Sequence, residues 1–579
     1  MKRCFCLLVV LFIMHFCNAN TIDEKLGKTL AWHFAILKNI SIDSNDIYLV
    51  YKSSVFNDKS SVTAYYIYNY DTKGYVIISG MDNTIPVLAY STESIFDTTA
   101  IPVNIKNYLD DYTNQIEYII ENKLTEDTTN KQLWNDLINN RTKNKFSRTT
   151  TVSPLLKTTW SQAPYYNYLC PLDTVSGKHA VTGCVATVMA QIMKYWNWPA
   201  IGIGSHSYTP QGYGEQMVDF SKNVYAWSAM PNALNYNGVA VATLMYNAGV
   251  AVNMQYGTKA SNSYVMSANC PIKYNAQYAL NYYFAYLPSM TGLYRTNYND
   301  KQWIAIIEKE LYANRPLIYD GDNDTEGHSF IADGFDNNDY IHFNWGWGGN
   351  YNGYFSINNL VPGGINLTQH HQILVGIQPD TLRTLVLADT IISTQTAYQS
   401  EPFTITTKVI NITKVLFKGS FQAVLTSDDY PGLMATQIID TPTIAFGDSA
   451  ILNFSFPGML PGKYTVTINF SIDGITYKPV GNTPQYRNNA LFTIWGNPNL
   501  NYSTVFPNPA NKYVYVDLNN TKASAYSLID AMGKEIATSS IDTNEPIVAI
   551  PLSELSRGMY LIKIIKNDGI EVKKFILAW

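Results

Sequence analysis

The sequence predicts an α+β chain that turns all-β toward its C-terminus, on three observations. Apolar residues at 185, 188, 189, 192, 193 and 196 recur at helical spacing, so a buried helix starts near Cys184. A Gly-led strand over residues 327–335, a turn and a second strand from Tyr340 read as a hairpin. From residue 381 onward, alternating strand patterns are broken by Asp, Gly and Pro turns, as in stacked β-sheets. The 44 tyrosines of a chain with 13% aromatic residues suit β-rich domains. Its 579 residues leave room for several domains, and 46% hydrophobic content excludes wholesale disorder. A net charge of −5 argues against a nucleic-acid partner, which needs clustered Lys and Arg.

Taken in order, residues 1–19 read as a secretory signal peptide. Lys2 and Arg3 precede an apolar run over 4–16, and Cys17-Asn18-Ala19 offers small residues for cleavage after Ala19. Residues 20–150 mix helical stretches at 24–40 and 103–122 with strands at 64–70 and 74–79. The Asn-, Lys- and Thr-rich stretch 125–151 reads as a cleavable linker. Residues 151–380 hold most of the tryptophans and the candidate chemistry. Strands at 403–411, 421–425 and 463–470 make 381–500 a β-sandwich domain. Residues 501–579 form a second small β module, from Phe506-Pro507-Asn508-Pro509 to strands at 560–565 and 570–577.

Of six cysteines, three fall in the signal peptide, leaving Cys170, Cys184 and Cys270. That is no disulfide framework, although a Cys170–Cys270 bridge would still leave Cys184 unpaired. No CxxC, HExxH or EF-hand pattern occurs, so neither metal nor cofactor is expected. Cys184 stands in the first turn of its helix, where the positive helix end favours a thiolate, and Gly183 permits the tight turn before it. The alternative is a cysteine that merely packs in the core. A thiolate nucleophile needs an imidazole, and His328 opens the first strand of the hairpin. The hairpin would place Asn344 or Trp345 beside His328, where a third group commonly orients the imidazole. An oxyanion needs donors; the Cys184 N–H is one, and the side chain of Gln162, upstream, is the candidate second.

These residues carry a resemblance. Gly183-Cys184-Val185-Ala186-Thr187 through Ala190-Gln191-Ile192-Met193-Lys194-Tyr195, then Gly327-His328-Ser329-Phe330 and Asn344-Trp345-Gly346-Trp347-Gly348-Gly349, resemble the streptopain family of papain-like cysteine peptidases. Asn247-Ala248-Gly249-Val250 and Met254-Gln255-Tyr256-Gly257 are similar to its middle region. The resemblance implies a papain-like catalytic domain over 151–380, with Gly327 at a substrate-contacting position. The stretch between Tyr256 and Phe284 looks longer than in streptopain, so subsite residues there do not carry over. Upstream, Gly74-Tyr75-Val76-Ile77-Ile78-Ser79-Gly80 and Val87-Leu88-Ala89-Tyr90-Ser91 resemble the family's propeptide. This implies a zymogen blocked by its own prosegment, cut within residues 140–153 near Lys145 and Arg148. Downstream, Val505-Phe506-Pro507-Asn508-Pro509-Ala510, Leu528-Ile529-Asp530-Ala531-Met532-Gly533-Lys534, Gly558-Met559-Tyr560-Leu561-Ile562-Lys563 and Lys573-Lys574-Phe575-Ile576-Leu577 resemble a type IX secretion sorting domain. That implies export through the periplasm to the medium or the outer-membrane surface, with the secretion machinery as partner. The expected function is a secreted cysteine endopeptidase acting on protein or peptide substrates. Two other readings stay open: a thiol amidase or transpeptidase on cell-wall peptides, and a non-catalytic adhesin.

Overall fold

The computed structural model describes residues 20–578 apart from 58–59, 125–127, 142–150, 267–272, 323–326, 358–359, 361–370, 382–383, 394–395, 414, 431, 441–442, 484, 498–499, 520 and 543. The signal peptide, the cleavage region around Lys145 and Arg148, Cys270 and His370 lie outside the described residues.

Residues up to Pro379, apart from two short stretches between 199 and 224, form one body. Its helices are α1 (Glu24–Leu37), α2 (Val103–Glu121), α3 (Thr128–Ile138), α4 (Cys184–Trp196), α5 (Val239–Ala251), α6 (Ala276–Tyr282) and α7 (Asp300–Tyr312). Ten strands make one sheet: β1 (Ile47–Asn57), β2 (Ser60–Tyr70), β3 (Tyr75–Ser79), β4 (Val87–Ser91), β5 (Thr291–Tyr294), β6 (Leu317–Asp322), β7 (Gly327–Phe335), β8 (Ile341–Asn344), β9 (Gly353–Phe355) and β10 (His371–Val375). The spatial order is β1-β2-β3-β4-β9-β8-β7-β6-β10-β5. The N-terminal meander β1–β4 therefore continues a sheet begun by the later strands. The junction pairs β4 with β9, Tyr90 opposite Tyr354 and Ala89 opposite Phe355.

Strand alternation explains how the meander takes helices on both faces. On β2, Tyr66, Tyr68 and Tyr70 pack with Leu30, Ala31 and Phe34 of α1. Tyr65 and Ile67 face the other way, into a core shared with Tyr108, Leu109 and Tyr112 of α2. That second core runs on into Phe330, Phe343, Trp345 and Phe355.

The expected linker is in part a helix. α3 buries Trp134 and Leu137 against the α1 layer, and the Trp134 indole donates to the Thr84 carbonyl at 2.8 Å. Two apolar side chains three residues apart anchor an otherwise polar helix, which composition alone reads as linker. Elsewhere the helical expectations differ from the structure only at their ends.

Residues 380–579 belong to a second, all-β body. Phe403–Asn411 pairs with Ser449–Phe456, and Gly462–Ser471 lies between Ser420–Ser427 and Ala490–Trp495. Phe403–Asn411 alternates buried and half-buried positions without a break, which marks one face on the core. The last strands, Gly558–Lys566 and Gly569–Leu577, form a long antiparallel pair.

Candidate active site

Cys184 is the first residue of α4, and Gly183 before it has φ +85°. A Cβ on Gly183 would lie 2.6 Å from the Met254 sulfur and 2.9 Å from the Ser261 carbonyl oxygen. Only glycine fits both the dihedral and the space. The helix then runs buried without interruption from Val185 to Met193. Gly183, before the helix, supplies no side-chain cap to its first turn.

His328 is the second residue of β7, opposite Gly321 of β6. Its Nε2 lies 3.3 Å from the Trp345 carbonyl oxygen. A carbonyl can only accept, so Nε2 carries the hydrogen and Nδ1 of the neutral ring is left as an acceptor. The imidazole also stacks on Trp347, with ring centres 5.9 Å apart and planes 16° apart. Trp345 thus holds His328 through its backbone carbonyl, and Trp347 supplies the stacking ring.

Asn344 is placed differently from the expectation. In the hairpin register it stands opposite Ile331. Its amide donates to the Thr158 carbonyl at 2.8 Å, and its Oδ1 accepts from the Gly346 N–H at 3.1 Å. No described hydrogen bond joins it to His328. Asn344 instead clamps the turn on which the Trp345 carbonyl sits.

Nor does a described hydrogen bond join Cys184 to His328. The hydrogen-bonding neighbours of the sulfur are Ser329 and the Val185 N–H. Alternation along β7 sends His328 toward Phe330, whose ring packs under Tyr108 of α2, while Ser329 turns the other way. Burial pushes the Cys184 thiol up; the Ser329 N–H opposes this, and the Asp320 carboxylate adds to it. Burial likewise pushes His328 down to about 4, against the Trp345 carbonyl. Both groups are held neutral, the opposite of an ion pair.

Gln162 is buried, and its own carbonyl accepts from the Thr182 N–H at 3.3 Å, which sets its segment beside the helix start. Gly327 is exposed at the first position of β7, opposite Asp322 of β6. Cys170 is a free, buried thiol pushed up to about 12 by burial, so it is not available as a nucleophile near neutral pH. Among the described residues no group of three His, Cys, Asp or Glu could hold a metal ion.

Sequence reasoning missed four contributors: Ser329, Asp320, Trp347 and Gln191. Gln191 alone carried a usable signal, a polar side chain inside an otherwise apolar helical stripe.

The N-terminal segment packs on the neighbouring strands through specific contacts. Tyr108 packs edge-on against Trp345, with ring centres 5.4 Å apart, and lies flat on His371 at 5.7 Å. Tyr112 donates to the Ser356 carbonyl at 2.7 Å, and the Leu360 N–H donates to Gln115 at 2.7 Å. Lys38 and Tyr90 both reach one oxygen of Asp336, at 2.7 and 2.8 Å. Glu93 makes a 3.3 Å ion-pair contact with His342, whose other ring nitrogen lies 2.6 Å from Asp333.

A cysteine at the start of a buried helix, a histidine on a neighbouring strand and an N-terminal segment packed against Phe330, Trp345 and His371 fit a thiol peptidase in proenzyme form. The chain belongs to the Peptidase C10 family, which it matches over residues 160–355. Residues 19–116 match the Spi protease inhibitor family, and 504–578 match the secretion system C-terminal sorting domain. Streptopain of Streptococcus pyogenes is 30% identical over 353 residues, covering 54% of this chain and 80% of streptopain. The thiol protease/hemagglutinin PrtT of Porphyromonas gingivalis is 27% identical over 409 residues, 66% of this chain and 44% of PrtT. Among solved structures, a fragment of prointerpain A from Prevotella intermedia is 30% identical, with TM-score 0.45, covering 57% of this chain and all of the fragment. Active interpain A is 35% identical, with TM-score 0.34, covering 39% of this chain and 95% of that one. The protein is a cysteine endopeptidase made as a proenzyme with an inhibitory prosegment. Its type IX sorting domain implies secretion or surface attachment.

Proposed function

We propose that Cys184 is the nucleophile and His328 its base in the hydrolysis of polypeptide substrates. The observation that carries this is the pinned imidazole, whose Nε2–H is committed to Trp345 and whose Nδ1 is free to take a proton. In the mature enzyme Nδ1 takes the thiol proton, the thiolate attacks the scissile carbonyl, and the imidazolium returns the proton to the leaving amine. Water then hydrolyses the thioester by the same route in reverse. The Cys184 N–H and the Gln162 amide receive the oxyanion, and Gly327 leaves backbone open to the substrate. Boundaries near 150, 380 and 500 divide prosegment, peptidase, sandwich and sorting module in this reading.

The test is Cys184→Ala in the full chain, with a thiol-reactive peptide probe and a peptide library as substrate. Turnover, self-processing and labelling should all vanish while the folded state persists. Continued turnover in a clean preparation removes Cys184 from the role.

A further inference from the structure

We infer that Gln191 is a positioning residue of the peptidase, a buried side chain that ties the nucleophile helix to the 158–160 segment and to the 344–346 turn. This deepens the reading of Cys184 and His328 and rests on it.

Gln191 lies seven residues along α4 from Cys184 and is fully buried. Its Oε1 accepts from the Thr158 hydroxyl at 2.9 Å and from the Trp160 N–H at 3.2 Å. Its Nε2 donates to Asn344 Oδ1 at 3.3 Å. Asn344 closes the ring by donating to the Thr158 carbonyl at 2.8 Å and accepting from Gly346 N–H at 3.1 Å. Three segments therefore converge on one amide. The first, 158–160, leads two residues later to Gln162. The second is α4 itself, which carries Cys184. The third is the 344–346 turn, whose Trp345 carbonyl holds His328.

The turn is held close to the helix and to the 158–160 segment around this amide. A Cβ on Gly346 would meet Thr187 of α4 at 3.3 Å, so this backbone already lies against the helix. The Gly348 N–H reaches the Trp160 carbonyl at 3.3 Å, a second bond between the same two segments. Polar groups sealed in an apolar interior hold their geometry because every alternative leaves one unpaired. All members of this ring belong to the peptidase and none to the prosegment, so the ring outlasts activation. Its length sets how far the Trp345 carbonyl, and with it the imidazole, stands from the helix bearing the thiol. Misplacement by about 1 Å is enough to cost on the order of 100-fold in rate.

The experiment compares the full chain with Gln191→Met, which keeps the volume and removes the hydrogen bonds, and with Thr158→Val. Each is matured by trace wild-type enzyme, so that a slow variant is still processed. Expected are a fall in kcat of about 10–100-fold, a KM within about threefold of wild type, and a displaced pH profile for alkylation of Cys184. Thr158→Ser, which keeps the hydroxyl, should restore most of the rate. Should Gln191→Met fail to fold, the Thr158 pair decides alone. A kcat and alkylation profile within twofold of wild type in the foldable variants overturns the proposal. So does a Thr158→Ser enzyme as slow as Thr158→Val, which would make the site one of packing only. If the probe labels no thiol at Cys184 in wild type, the nucleophile assignment fails instead, and that outcome is distinct from slow turnover with labelling intact.

Discussion

At Gly183 an alanine methyl would meet the Met254 sulfur and the Ser261 carbonyl at once, in a dihedral region that side chains avoid. Gly183→Ala should cost about 2–5 kcal/mol, combining backbone strain with overpacking. A thermal melt should show it as a Tm lowered by roughly 5 °C or more. His328→Ala should lose activity as completely as Cys184→Ala, and the double variant should be no worse, because the pair acts as a unit. Steady-state kinetics on the three proteins decide this; a much slower double variant would refute the unit. Cys184 and His328 were legible because helical spacing and a glycine-led strand flag them. The partner of His328 was not, since a backbone carbonyl leaves no mark in sequence. Asn344 was singled out for its residue type, yet that type serves equally well to clamp a turn.

Among the elements, α2 and β4 make the closest contacts with the peptidase strands. Tyr108 lies against Phe330, Phe343, Trp345, Phe355 and His371. Tyr108→Ala should weaken the docking of α2 by about 3–5 kcal/mol, and the unprocessed chain should show measurable peptidase activity where wild type shows none. The Glu93–His342 contact makes docking sensitive to pH. Burial alone would depress His342, but Asp333 and then Glu93 outweigh it and raise the imidazole to about 9. The contact with His342 lowers Glu93. The Asp333 share stays within the peptidase whether or not the prosegment is docked; the Glu93 share favours docking while His342 is protonated and is lost as pH climbs through about 9. A lowered carboxylate contributes above its ordinary range and loses its share as pH falls below it. Processing of the proenzyme by trace mature enzyme should therefore accelerate from pH 6.5 to 9, and Glu93→Gln should raise the rate at pH 6.5 and flatten the slope. An unchanged slope would place the sensitivity elsewhere. Helix α4 and the hairpin could be read from periodicity. The β4–β9 pairing could not, because Tyr90 and Tyr354 are remote in sequence and register is chosen by the assembled cores.

On the scale of the whole molecule, the sorting module and the sandwich are less separable than composition suggests. Phe506 and Tyr515 pack into the core that holds Phe403, Phe456 and Tyr464, and Gln399 hydrogen-bonds Asp517 and Asn519. A cut at 500 would open that core, so the cleaner deletion ends the chain at Pro379. That truncation should self-process with wild-type kcat/KM yet remain in the periplasm, as cell fractionation would show; normal levels in the medium would refute the sorting role. The continuous ten-stranded sheet has a kinetic meaning. Severing the chain between α3 and the peptidase leaves β4 zipped to β9 and Tyr108 in its slot, so the cut does not itself release the prosegment. It converts a tethered inhibitor, present at the high effective concentration of its own chain, into a separate molecule whose occupancy falls with dilution. A nicked enzyme should therefore stay inhibited at high concentration and gain activity on dilution, which activity measured across a dilution series would show.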